Sequence, residues 1–333
     1  MKKFGTALIV VATLMLIAVL VSLIPSDAWF IRTVDLVREP MSYIAALLLI
    51  LALFIGGARR WAAVAMFGLV ILINVWRIWP YSFLADTQLA LAEEVAPADD
   101  GKCFSAMSVN VKVKNDQYDE IIAQVRQHDP DVLFLMETDA RWINQLEPVL
   151  SAYEHVDRHP QPEAFGLVFA TRLPTLKSSV VENTHRDTPT LYATLQADGA
   201  KPIEFIGLHP KPPLPGWNTE RRDENIVNAG VQTPDRLPDA FVMGDFNDVP
   251  WSRTTSKFRA TGDWRDPRIG RGTYPTFPAN LLFAGWPLDQ LMLKGELRLQ
   301  SFEVLADNGS DHRALLAYLC SPIVTASERL RSD

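Results

Sequence analysis

The stretch Ala240-Phe241-Val242-Met243-Gly244-Asp245-Phe246-Asn247 runs four apolar residues into a glycine, a carboxylate, a phenylalanine and an amide. A short apolar run bounded by turn formers reads as a buried strand. Asp245 and Asn247 then stand at its C-terminal end. Buried strands have no need of polar ends, whereas a site assembled from several strand ends does. The question is whether other strands finish in the same way.

They do. Phe104–Val109 ends at Asn110, Val132–Met136 at Glu137 and Ile203–Leu208 at His209, while Asp289 opens Leu288–Leu293 and Asp311-His312 precedes Ala314–Leu319. Gly166–Ala170, Tyr192–Leu195 and Phe302–Leu305 also read as strands. Tyr118, Ile121, Ile122 and Val125 have helical spacing, so the pattern from Cys103 onward is strands alternating with helices. If the strands at Asp289 and Asp311-His312 run antiparallel to the others, the polar ends converge on one rim. That rim gathers carboxylates, histidines and asparagines, which a divalent cation compensates; oxygen donors without thiolates favour magnesium, with manganese or calcium as substitutes.

In this order the motifs resemble the endonuclease/exonuclease/phosphatase superfamily, the DNase I-like metal-dependent phosphoesterases. They are Asn110, Leu135-Met136-Glu137, Leu208-His209-Pro210, Gly244-Asp245-Phe246-Asn247, Leu288-Asp289 and Ser310-Asp311-His312. The resemblance covers roughly residues 102–321 and implies an α/β (α+β) fold, a four-layer sandwich of two sheets covered by helices. It also implies roles. Glu137 is the principal metal ligand, with Asn110 and Asp311 completing or orienting the shell. Asp245 positions or deprotonates the attacking water, and Asn247 holds a phosphate oxygen. His312, oriented by Asp289, binds the phosphate, and His209 stabilises the transition state or protonates the leaving oxygen. Glu163 is a further candidate for orienting His209. Gln290 departs from the family, where histidine often follows the aspartate, and bears on substrate contacts. His128, His155, His159 and His185 match no motif and read as ordinary loop or helix residues.

The first 80 residues are different. Thr6–Ile24, Met41–Gly57 and Trp61–Trp79 are long apolar runs, uncharged except for Arg77, and each is long enough to cross about 30 Å of hydrocarbon as a helix. Lys2, Lys3, Arg59 and Arg60 mark the cytoplasmic side. These runs predict an anchor over residues 1–83 with three transmembrane helices (6–24, 41–57 and 61–79). An acidic linker (84–101), the catalytic domain (102–321) and a tail (322–333) follow. A cleaved signal peptide over the first run is the rival reading. Both leave the catalytic domain on the periplasmic or extracellular side of a bacterial inner membrane, with the lipid bilayer as a partner and no protein partner inferred.

Residues 101–333 carry 25 Lys+Arg against 31 Asp+Glu, a net of −6, which excludes a globally basic nucleic-acid clamp. The two cysteines exclude a disulfide scaffold, and neither heptads nor a fixed repeat is present. Cys103 lies on the first strand and Cys320 on the last. With Asn110 and His312 at one rim of antiparallel neighbours, the cysteines fall opposite each other at the far end. A Cys103–Cys320 disulfide is expected, worth on the order of 4 kcal/mol in the chain-entropy model; two buried thiols are the alternative.

Substrate is read from one region. Trp251–Arg271 holds six cations, among them Arg253 and Arg271, with Trp251 and Trp264 interleaved. Such a stretch beside the site can track a phosphodiester backbone and stack bases, so Trp251, Arg253 and Arg271 are candidate substrate contacts of a nuclease-type phosphodiesterase. Phe277, Leu281, Leu282, Phe283 and Trp286 form an apolar tract that instead suits a phospholipid or sphingolipid head group, or a small molecule. A tethered scaffold without turnover is the reading from another class.

Overall fold

The computed structural model describes residues 2–91, 102–184, 188–216, 218–231, 236–281 and 285–322. The remaining linker and tail positions, along with His185, Leu282 and Phe283, lie outside the described residues.

The catalytic region holds two sheets. The first has the order β10 (Arg298–Val304), β11 (Leu315–Ser321), β1 (Lys102–Asn110), β2 (Val132–Met136), β4 (Leu167–Thr171), β3 (His155–His159). The second runs β5 (Thr175–Val181), β6 (Thr190–Leu195), β7 (Ile203–Leu208), β8 (Ala240–Asp245), β9 (Asp289–Lys294). β2, β4, β6, β7 and β8 are buried at every residue because both faces are covered. One face of each sheet meets the other sheet, where Phe134, Phe169, Phe205 and Phe241 interdigitate. Over the outer face of the first sheet lie α4 (Tyr118–His128) and α5 (Ala140–Leu150), whose Ile121, Val125, Trp142 and Leu146 form a second cluster. Over the outer face of the second lie α6 (Glu220–Val231) and α7 (Arg253–Ala260), with Ile226 and Phe258 turned inward. The result is four layers.

Two pairings set the rim. β9 is antiparallel to β8, with Asp289 opposite Asp245, and β11 is antiparallel to β1. β1 and β2 are parallel, as are β7 and β8, so Asn110, Glu137, His209 and Asp245 leave their strands at the same edge. At the opposite end Cys103 faces Cys320 across β1 and β11, and the two are disulfide-bonded over a sequence separation of 217. The half-exposed edge strands β3 and β5 have no clear apolar alternation, which is why the sequence does not announce them.

Before this domain come α1 (Lys2–Val21), α2 (Trp29–Ala52) and α3 (Ala58–Ile78), which pack as a bundle through Ala12, Ala45, Ala63 and Phe67. Two of them, Lys3–Val21 and Ala58–Tyr81, are long and apolar enough to cross a membrane. The expected third span is corrected. The first half of α2 carries Arg32, Asp35, Arg38 and Glu39, and its apolar remainder, Met41–Ala52, rises only ~18 Å. Within the stretch expected to be a linker, residues 84–91 are described: Leu89 is buried in the inter-sheet core and Leu91 bridges to Leu299.

Candidate active site

The rim side chains meet around one carboxylate. Asp245 is buried at the end of β8, and its Oδ2 lies 3.1 Å from the Asn110 amide nitrogen and 3.6 Å from Nε2 of both His209 and His312. Asn110 also donates to Glu137 Oε1 at 3.0 Å, and Glu137 Oε2 accepts the Val113 amide at 3.2 Å. Glu137 leaves β2 in the left-handed region, φ +62°, which turns its carboxylate back toward Asn110. Asn247, at φ +49°, donates its side-chain amide to the Pro210 carbonyl, and its backbone N–H reaches Asp245 Oδ1 at 2.7 Å.

Asp289 and His312 form a dyad, Oδ2 to Nδ1, of 2.8 Å. Burial disfavours the imidazolium, but Asp245 and Asp289 outweigh it, and the pKa of His312 is pushed up to about 10. A buried carboxylate bonded to Nδ1 leaves Nε2 facing Asp245, a fixed orientation for proton transfer. His209 is equally buried, but its Nδ1 has no hydrogen-bond partner among the described residues, so no bond from Glu163 orients it. Asp311 is half-buried and pairs with Lys112, Oδ2 to Nζ, at 3.1 Å.

The donor set fits a hard divalent cation. Asp245, Asp289 and His312 each bring one ligand atom within 4.8 Å of the others. The Asp289 bond occupies Nδ1 of His312 and leaves its Nε2 toward Asp245. The carboxylates of Glu137 and Asp245 keep lone pairs beyond the hydrogen bonds they accept, while Asn110 Oδ1 accepts the Lys112 N–H at 2.9 Å and its amide N–H turns to both carboxylates. Carboxylate and amide oxygens suit magnesium or its congeners. No thiolate competes, both cysteines being bonded to each other.

The expected substrate contacts lie elsewhere. Trp251 is buried, and its indole N–H donates to the Asp35 carbonyl of α2 at 2.8 Å. Arg253 pairs with Asp27 and the Ser26 carbonyl just before α2, and Arg271 donates to the Pro267 carbonyl. Arg268 is buried against Asp266, and Arg259 reaches Tyr81. Trp251, Arg253, Arg259 and Arg268 are therefore spent on docking the N-terminal helices and bracing their own loops rather than on lining a groove for a phosphate backbone. Gln290 is likewise internal, donating to the Asp248 carbonyl at 2.8 Å.

Sequence reasoning missed Lys112 and Thr276, and it quoted Ser310 in a motif without giving it a contact. Lys112 lies beside Asp311, Thr276 Oγ1 accepts the Asp289 amide N–H at 3.2 Å, and Ser310 Oγ donates to the Asn110 carbonyl at 2.6 Å. Asp248 was also passed over, although it directly follows the Gly244–Asn247 motif. Next to the site, a cavity of about 560 Å³ is lined by Lys112, Gln117, Glu120, Asn280, Ser310 and Asp311 among others, with room for a substituent of the substrate.

Residues 107–312 match the Endonuclease/Exonuclease/phosphatase family. A search of curated proteins finds no match to this chain. Among solved structures, a family protein from Bacteroides thetaiotaomicron superposes with a TM-score of 0.56 at 17% identity, over 67% of this chain and 100% of that one. D. rerio TDP2 complexed with single strand DNA product gives 0.54 at 14% identity, over 66% and 99%. The mannosyl-6-phosphatase of B. thetaiotaomicron VPI-5482 gives 0.53 at 16%, over 65% and 99%. These likenesses carry the two-sheet fold, and the family match covers every rim position from Asn110 to His312. The chain belongs to the endonuclease/exonuclease/phosphatase family and is a hydrolase acting on phosphate ester bonds.

Proposed function

We propose that the chain is a membrane-anchored, Mg²⁺-dependent phosphodiesterase that cleaves a phosphate ester presented at the bilayer surface. Residues 1–83 serve as the anchor and 102–321 as the catalytic domain. Two candidate spans support the anchor. The site's geometry supports the assignment of roles. Glu137 would be the principal ligand of the ion, with Asn110 and Asp311 completing or orienting its shell, and the ion would supply a Lewis acid for the phosphoryl oxygens. Asp245 orients the attacking water and accepts its proton, Asn247 and His312 bind the non-bridging oxygens, and Asp289 fixes the His312 ring. The ester P–O bond breaks as the water oxygen bonds to phosphorus, and His209 protonates the departing oxygen.

One observation favours a membrane-borne substrate over a nucleic acid: both loops that flank the site lead directly to the foot of α2. From His209 the chain reaches the Asn218–Ala28 bridge and the Thr219–Asp27 bond. From His312, ring contacts run through Phe277 to Trp286, whose indole donates to the Leu36 carbonyl at 2.5 Å. Leu214 and Leu281 are exposed on these loops. The nuclease reading retains the support of the D. rerio TDP2 complex with single strand DNA. Between the two candidate spans α2 returns the chain from the domain end to the Arg59-Arg60 turn, so Lys3 and that turn lie together at the bundle end away from the domain, where Gly5 approaches Ile55. By the distribution of cations, this supports a periplasmic or extracellular active site.

The test is hydrolysis by the full chain in lipid nanodiscs. Substrates are phospholipid vesicles, single-stranded DNA, RNA and bis(p-nitrophenyl) phosphate, with Mg²⁺ or EDTA, beside His312→Ala. Metal-dependent release of a lipid head group, lost in the variant, supports the reading. Cleavage of DNA with no action on lipid would replace it with the nuclease one. A folded chain that binds Mg²⁺ and turns over nothing would favour the scaffold.

A further inference from the structure

A buried network of charges joins the first turns of α2 to the loop that follows β8. Arg32 on α2 is 4% exposed. Its guanidinium bonds Asp35 at 3.0 Å and Thr254 Oγ1 at 2.6 Å, and lies 3.3 Å from Asp223 and 3.7 Å from Asp248. Asp223 and Asp248 in turn hold Arg222, at 2.6 and 3.5 Å. Arg222 donates to the carbonyl of Asn247 at 2.7 Å. The chain of contacts therefore runs from a membrane-side helix to the backbone of a residue in the catalytic motif.

The loop it reaches needs a restraint. Asn247 sits in the left-handed region, which a non-glycine residue occupies at some cost unless its surroundings hold it there. Its carbonyl is held by Arg222, its side chain by Pro210 and its N–H by Asp245. Asp248 is anchored on the other side by Ser252 Oγ at 2.6 Å and, through its carbonyl, by Gln290. Two adjacent buried aspartates cannot be left to Arg222 alone, because taking a partner from a buried charge network leaves an uncompensated charge. Arg32 is the second cation.

We propose that Arg32 is a positioning residue for the catalytic loop, so that α2 is part of the active-site architecture as well as of the anchor. It acts through Asp223, Asp248 and Arg222 on the placement of Asn247 and hence of Asp245. The inference rests on the phosphoesterase reading for its activity readout alone, and is independent of which phosphate ester is cleaved.

The experiment compares the full chain with Arg32→Ala, Arg32→Lys and Asp27→Ala in detergent micelles. The probe is bis(p-nitrophenyl) phosphate with Mg²⁺, read beside amide hydrogen exchange. Asp27→Ala removes the half-buried pair with Arg253 from the same docking face and serves as the control for weakened docking. Arg32→Ala is expected to lower kcat by about tenfold to a hundredfold, the effect of a small misplacement of catalytic groups. KM should stay within about twofold. Amides 245–249 should lose protection while those of β1 and β2 keep it. Arg32→Lys should recover part of both, and Asp27→Ala should match the wild type. A folded Arg32→Ala with wild-type kcat and wild-type exchange at 245–249 would overturn the proposal, as would an equal loss in Asp27→Ala. If Arg32→Ala does not fold, Arg32→Lys decides on the same two readouts, a wild-type result overturning it. If the wild type itself hydrolyses nothing, the phosphoesterase reading fails, and the exchange difference alone settles whether Arg32 positions the loop.

Discussion

Asp245 gathers Asn110, His209 and His312 from three distant segments of the chain, all within 4 Å, and the Asn247 amide from its own loop. Such convergence makes individual side chains decisive for turnover and nearly irrelevant to folding. Glu137→Ala and His312→Ala should each lower kcat by about 10²–10⁴, the usual range for losing a metal ligand or a proton-transfer group, with an unchanged far-UV circular dichroism spectrum. Asp289→Asn should fall in the same range, since the amide cannot hold the Nδ1–H of His312 as the carboxylate does. Steady-state rates on bis(p-nitrophenyl) phosphate check all three. These residues were legible in the sequence because polar groups at the ends of buried strands have no other purpose. Lys112, Thr276 and Asp248 were not, nor was the part played by Ser310. Each is a common loop residue whose partner lies far off in the chain, as with Ser310 and Asn110 at a separation of 200.

At the level of elements, the rim depends on strand pairing, and two features lock it. The Cys103–Cys320 bond ties β1 to β11 below the rim. Cys103→Ser with Cys320→Ser should reduce the unfolding free energy by on the order of 4 kcal/mol, read by urea denaturation of the full chain in micelles. Gly244, at φ +142°, is the second. A Cβ there would stand 2.1 Å from the Leu208 carbonyl oxygen on the neighbouring strand, where neither backbone has room to give. Gly244→Ala should therefore cost about 1–3 kcal/mol and abolish most activity by displacing Asp245. The strands with two buried faces declared themselves as apolar runs. β3 and β5 did not, because an edge strand with one wet face can be built from residues such as those of His155–His159 without a period.

For the molecule as a whole, the N-terminal helices and the catalytic domain share a buried face. Trp251, Tyr81, Asp248 and Arg222 are all buried there, and Arg77 and Tyr81 bond the Trp251 and Pro250 carbonyls at 3.0 and 2.9 Å. A fragment of residues 101–333 should thus be less stable than the same region of the full chain. Its Tm should lie lower by more than about 5 °C in a scanning calorimeter, since each kcal/mol is worth roughly 2–4 °C at this size. It should also bind an apolar dye at the bared Trp251 face. EDTA should abolish hydrolysis by the full chain and Mg²⁺ restore it, with the fold unchanged, because the rim is held by hydrogen bonds among protein groups as well as by any ion.

The sequence by itself determined the alternation of strands and helices, the set of polar strand ends and the apolar character of the first 80 residues. Each of these is a local pattern of side chains along a few turns or strands. Only the tertiary structure decided what the cations and tryptophans between Trp251 and Arg271 face. An arginine-rich, aromatic segment has the same composition whether it grips a phosphate backbone or a neighbouring helix, and the difference lies in which surface the fold sets against it. The same holds for Arg32. In the sequence it is a charge that spoils an apolar run, and in the fold it is the buried partner of aspartates some 190 and 216 residues away, brought to it by the docking of α2.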